Sequence, residues 1–186
     1  NFTPYASYSG VPTTIHDLFM LNDTSAHATL LKLFKNMRLG SLTHRTATGM
    51  LHAHPLTTMN KTLDRDSKLY FFISRDTELY SNLQRDGTVN VSYANPEADT
   101  YVSLCAHAET RDDPALKELL WTPLAKAWFP GGVTDPSLAL LVVRIHHAEY
   151  WDVKESKMVQ LFKMAKAALT GEPPRNLGEH RKLHLS

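Results

Sequence analysis

The chain has 186 residues, enough for one domain with a sizeable core, and its 42% hydrophobic and 21% charged content excludes a disordered or fibrous protein. A formal net charge of +1 and the lack of a basic stripe argue against a polyanion partner, so no nucleic acid is expected. The single cysteine, Cys105, rules out an internal disulfide framework and suits a reducing compartment. No apolar run approaches the roughly 20 residues of a membrane span, and NFTPYASYSG does not read as a leader. A cytoplasmic protein with no membrane partner is the expectation.

In chain order, residues 1–22 carry Pro4, Gly10 and Pro12 without periodicity and read as an extended arm. Residues 23–186 read as a single domain. A cap at Asp23, Thr24 or Ser25 opens a helix over 25–37, with Ala26, Leu30, Leu33, Phe34 and Met37 on one stripe. RLGSLTHR (38–45) alternates with period two, Gly49 supplies a turn, and MLHAHPLTTM (50–59) forms the partner strand. KLYFFISRD (68–76), a short helix in TELYSNLQRD (77–86) and the strand TVNVSYA (88–94) follow. After a turn at Asn95–Asp99, TYVSLCAHAETR (100–111) reads as a long strand. Asp112 or Asp113 then caps a helix with Pro114 in its first turn, and Pro130-Gly131-Gly132 stops the chain's next turn. The longest strand is expected over 137–153, apolar on both faces in its first half and therefore central. A helix over 156–171 and a polar, extended tail over 172–186 complete the reading. Tight turns between most strands favour a mainly β chain with flanking helices, its antiparallel sheet closing into a six-stranded barrel.

The usual dinucleotide, P-loop and nucleophile-elbow motifs are absent. Where the strand ending at Ser74-Arg75-Asp76-Thr77 hands over to a helix, N–H groups, hydroxyls and a guanidinium suit a phosphate. His52 and His54 share one strand face, with His44 on the neighbouring strand. Anion or cofactor contact ranks first for these histidines, a solvated face second and a metal third, since neither strand carries a carboxylate; no metal ligand is assigned. Cys105 reads as a small buried residue. The aromatic pair Trp128-Phe129, on a loop before a helix stop, invites a partner or ligand. The alternating charges of 110–121 read as a solvated helix face.

Phe71-Phe72-Ile73-Ser74-Arg75-Asp76, Val89-Asn90-Val91-Ser92-Tyr93, Trp128-Phe129-Pro130-Gly131-Gly132, Ala148-Glu149-Tyr150-Trp151-Asp152 and Met164-Ala165-Lys166-Ala167 together resemble the general stress proteins of the pyridoxamine-phosphate-oxidase-like superfamily. The likeness spans about residues 25–183. It implies a split β-barrel that binds FMN at a homodimer interface. It further implies cofactor contacts from His54, Pro55, Leu56, Thr57 and Thr58 on the second strand, from Ile73, Ser74, Arg75, Thr77 and Leu79 around the third, and from Trp128 and Phe129. His54 stands where the family typically has arginine, and Leu79 where it has lysine, which implies a looser hold on the phosphate. The expected activity is transfer of hydride or electrons between a reduced nicotinamide and a small acceptor. A non-enzymatic flavin carrier and a haem-binding relative are the alternatives. No catalytic residue is assigned; Glu149, His52 and His107 are the nearest candidates for acid–base work.

Overall fold

The computed structural model describes residues 37–60, 67–152 and 179–184. The arm over 1–22 and the helices expected over 25–37 and 156–171 lie outside them, apart from Met37. Seven strands and two short helices make up the described chain: β1 (Leu39–Arg45), β2 (Leu51–Thr57), β3 (Lys68–Ser74), α1 (Glu78–Leu83), β4 (Thr88–Asn95), β5 (Thr100–Arg111), α2 (Pro114–Leu120), β6 (Leu138–Asp152) and β7 (Glu179–His184). Two 3-10 turns, Pro123–Ala127 and Gly132–Thr134, lie between α2 and β6. The tail thus contributes a strand.

Each local element has a visible cause. Gly49 sits at φ +85°, in the left-handed region that favours glycine, where β1 turns into β2. Thr77 caps α1 by accepting from the Tyr80 N–H, and Asp113 caps α2 by accepting from the Leu116 N–H. Pro114 opens α2, and Trp121 ends it in extended backbone two residues before Pro123.

Six strands follow one antiparallel path, β2-β1-β4-β5-β6-β3. The path curls, so that its two ends meet: the Met59 N–H donates to the Tyr70 carbonyl at 2.8 Å, just beyond β2. The result is the expected split barrel, with β7 as an addition. The long β6 makes this possible. Its first half, Leu138–Arg144, pairs with β3, and its second half, His147–Asp152, pairs with β7 along the same edge. Its other edge carries β5, with a bulge at Cys105/Ala106.

Period-two alternation decides what faces the core. Leu42, Leu69, Phe71, Val91, Val102, Leu104, Leu141 and Val143 fill the interior, with Leu79 and Leu83 of α1 added from one end. On the outer face of β3, Phe72 meets Trp121 at 5.8 Å and Phe129 at 6.5 Å between ring centres. The same alternation corrects the reading of Cys105, which lies exposed on the outer face of β5 while Leu104 and Ala106 point inward.

The buried Tyr93 anchors the end of β2. Its hydroxyl and that of Thr58 lie 2.6 Å apart, and burial raises the phenol pKa. Its ring lies over Gly40, where an added Cβ would come within 2.9 Å of it. Tyr93→Phe should therefore leave the Thr58 hydroxyl short of a partner in the interior and lower unfolding free energy by about 1–2 kcal/mol in urea titrations.

Candidate functional site

The end of the barrel formed by the close of β3, the close of β5 and the start of β6 gathers most of the charged and hydroxyl groups singled out above. Ser74 pairs with Leu138, and Arg111 with Leu140, so β3 and β5 deliver Arg75 and Asp112 beside one another. The Arg75 N–H donates to the Ser137 carbonyl at 2.7 Å, which ties this corner to the loop that holds Trp128 and Phe129. Asp135 orders that loop through the N–H groups of Gly131 and Ser137 and the Ser137 hydroxyl.

Arg75 keeps one third of its side-chain surface open to solvent. Its guanidinium donates to the Tyr80 hydroxyl at 3.1 Å, lies over the Tyr80 ring at 5.7 Å, and approaches Asp112 at 4.0 Å. Asp112 also accepts from Lys117 Nζ at 2.9 Å. Lys117 is buried, so its stem runs through packed surface and its ammonium emerges at the carboxylate. Lys117 is a site residue that the alternating charges of 110–121 concealed: from spacing alone it belongs to a solvated face, whereas the fold buries it. Leu119 of the same helix is instead exposed.

The other hydroxyls at this corner are already engaged. The Thr77 hydroxyl donates to the Ser74 carbonyl at 2.7 Å, and the Ser74 hydroxyl accepts from the Asp76 N–H at 3.2 Å. The side chains best suited to a phosphate here are thus the two cations that share Asp112. Leu79, expected beside them, packs in the core, as does Ile73, so neither presents a surface to a ligand.

The second strand divides its residues between two faces. Pro55 and Thr57 are exposed on the outer face, beside Ser41 and Leu39 of β1. His54 and Leu56 point inward, opposite Leu42 and Gly40, and Thr58 is buried against Tyr93. One planar ring cannot rest on all five, because consecutive strand residues face opposite ways. His54 stands with His44 and His52, its ring centre 5.2 Å and 4.3 Å from theirs. Its pKa is lowered, first by burial and then by the charges of His52 and His44, with Glu78 opposing. Burial and the neighbouring histidines thus disfavour its charged form, which makes it a poor replacement for the charge of an arginine. Trp128 is exposed and Phe129 buried, which separates a pair read as one unit. Glu149 pairs with His147 at 3.7 Å, His107 is exposed on the outer face of β5, and His52 faces inward on β2, so the three acid–base candidates do not converge.

The profile of the family described as pyridoxamine 5'-phosphate oxidase like matches residues 25–175. The chain belongs to the pyridoxamine 5'-phosphate oxidase-like family. A general stress FMN/FAD binding protein from Xanthomonas citri is similar at 30% identity, with 72% of this chain and 92% of that one covered and a TM-score of 0.60. A protein from Clostridium acetobutylicum, related to general stress protein 26 of B. subtilis, matches in fold at 16% identity over 72% of this chain and 92% of its own, with a TM-score of 0.61. A heme binding protein from Mycobacterium smegmatis shares the fold at 18% identity over 67% of this chain and 53% of its own, with a TM-score of 0.53. A search of curated proteins gives no match. Among the described residues no helix is long and apolar enough to cross a membrane. A flavin would need an open cation for its phosphate and an exposed surface for its ring; Arg75 is partly open, and Pro55 and Thr57 are exposed on the outer face of β2.

Lys117 first, and Arg75 after it, hold the Asp112 carboxyl below its ordinary value of 3.8. A carboxyl whose pKa is lower folded than unfolded adds stability that is full above the unfolded value and lost as pH falls through the folded one. Asp112→Asn should thus lower stability at about pH 6, and the gap from the wild type should narrow by about pH 3, read by urea unfolding at both values.

Proposed function

We propose that the protein binds FMN at a homodimer interface and works as a flavin-dependent oxidoreductase, passing hydride from a reduced nicotinamide to a small acceptor. The observation that carries this reading is Arg75: a partly open guanidinium at the mouth of a split barrel, sharing one carboxylate with the buried Lys117. A phosphate, like Asp112, offers negative charge and oxygens that can accept two parallel N–H bonds, so it can compete for both cations. Support also comes from membership of the family and from the flavin-binding Xanthomonas citri protein, which matches at 30% identity.

When bound, the flavin supplies the redox chemistry, and the chain supplies binding, orientation and exclusion of water. Arg75 and Lys117 hold the phosphate, and Pro55 and Thr57 give the ring its surface. Arg75→Ala should weaken FMN by about tenfold or more and leave riboflavin, which has no phosphate, within about twofold of the wild type. Flavin fluorescence quenching measures both. Equal losses for the two ligands would show that Arg75 acts elsewhere.

The homodimer rests on the hairpin of β1 and β2. Leu39 at one end of the hairpin and Met50 and Leu51 at the other are 64%, 65% and 70% exposed, apolar side chains that a second copy would cover. Leu39 and Leu51 lie on the outer face with Pro55 and Thr57, so a second copy seated there would close over the ring surface. Sedimentation velocity at micromolar concentration should give a dimer for the wild type and a monomer for Leu51→Lys. A monomeric wild type would overturn this arrangement.

A further inference from the structure

We infer that His44, His52 and His54 form a binding site for a divalent late first-row transition metal ion such as Zn2+, on the inner face of the β1–β2 hairpin. One nitrogen of each ring can be chosen so that all three lie within 4.8 Å of one another. Three nitrogens bound tetrahedrally at about 2.1 Å would stand about 3.4 Å apart. Closing the difference takes small side-chain rotations, and His52, which is exposed, is free to make them.

The register explains why the rings converge. His44 pairs directly with His52, and Leu42 pairs with His54, so all three histidines project to one face of one hairpin. Two observations separate this cluster from a chance meeting of surface histidines. Nε2 of His44 and Nε2 of His54 are both buried and have no hydrogen-bond partner among the described residues, a cost that a native interior rarely leaves uncompensated. His44 is 1% exposed, and its Nδ1 lies 3.3 Å from the Arg45 carbonyl. A carbonyl can only accept, so Nδ1 carries the proton and Nε2 keeps a free lone pair. That is how a metal-binding histidine is usually oriented, by a backbone carbonyl on its other nitrogen.

The donor set points to the class of ion. Three neutral imidazoles without a carboxylate ligand suit Zn2+, Co2+, Ni2+ or Cu2+ and not the oxygen-seeking Mg2+ or Ca2+. Glu78, at the start of α1, is the nearby carboxylate that balances part of the charge. With three protein ligands the ion keeps an open position for water or another small donor, and His52 leaves a path from solvent. Haem fits less well, because its iron takes imidazoles along one axis and three within 4.8 Å would crowd a single face.

The full chain, freed of metal by chelator and dialysis, should bind one Zn2+ by calorimetry. With Co2+ it should show the intense visible bands of a four-coordinate ion. His52→Ala alters an exposed side chain, so it should fold normally while weakening Zn2+ by more than about tenfold and dimming the Co2+ bands. His54→Ala should do the same. His146→Ala, on an exposed position of β6, should change neither readout, and Arg75→Ala should keep the metal even where FMN is weakened. The inference is overturned if Zn2+ and Co2+ fail to bind at one per chain, if both His52→Ala and His54→Ala bind as the wild type does, or if the histidines govern haem uptake and not Zn2+.

Discussion

The antiparallel ladder along β6 is the constraint on which the rest of the structure depends. Leu138–Arg144 takes β3 on one edge, His147–Asp152 takes β7 on that same edge, and β5 runs the length of the other. Because β3 is held at the start of β6, its last residue, Ser74, is fixed opposite Leu138, and Arg75 emerges where Asp112 leaves β5. The site at this corner therefore follows from register. A slip by one residue would turn the interior residues of β3 outward and carry Arg75 away from Asp112.

Much of this could be read from the chain itself, where local physics is strong. Alternation in RLGSLTHR and TYVSLCAHAETR gives the faces of β1 and β5, Gly49 marks the first hairpin, and Asp113-Pro114 marks the start of α2. The apolar first half of β6 signals a strand covered on both sides. What could not be read depends on contacts between distant segments. Lys117 looks solvated from its neighbours in sequence, yet it is buried and meets Asp112. Leu79 stands where the family resemblance places a lysine, but the turn of α1 points it into the core. Cys105 reads as buried from its residue type, whereas its place in the alternation puts it outside.

In β2 a motif that is one unit in sequence serves two faces in space. His54-Pro55-Leu56-Thr57-Thr58 is continuous in sequence but divided in space. Pro55 and Thr57 face outward on a strand hydrogen-bonded along one edge to β1, a setting where proline's missing N–H costs little. His54 and Leu56 face the interior. The outer face is the one that a ring or a second copy can reach, and the inner face belongs to the three histidines. Two chemistries can thus share one hairpin without competing for the same side chains.

Charge gives a second reason to keep them apart. Arg75 and Lys117 meet at one carboxylate, whereas His54 is disfavoured as a cation first by burial and then by the charges of His52 and His44 beside it. Each group has its own carboxylate at this end of the barrel: Asp112 between the two cations, and Glu78 near His54. The helix α1 touches both groups, with Glu78 at its start acting on His54 and Tyr80 accepting from Arg75. An anion is drawn to fixed positive charge that water already reaches, and neutral imidazoles with free lone pairs draw a metal ion instead. The same short helix therefore serves both, through Tyr80 at the surface for anions and Glu78 at the pocket of nitrogen donors.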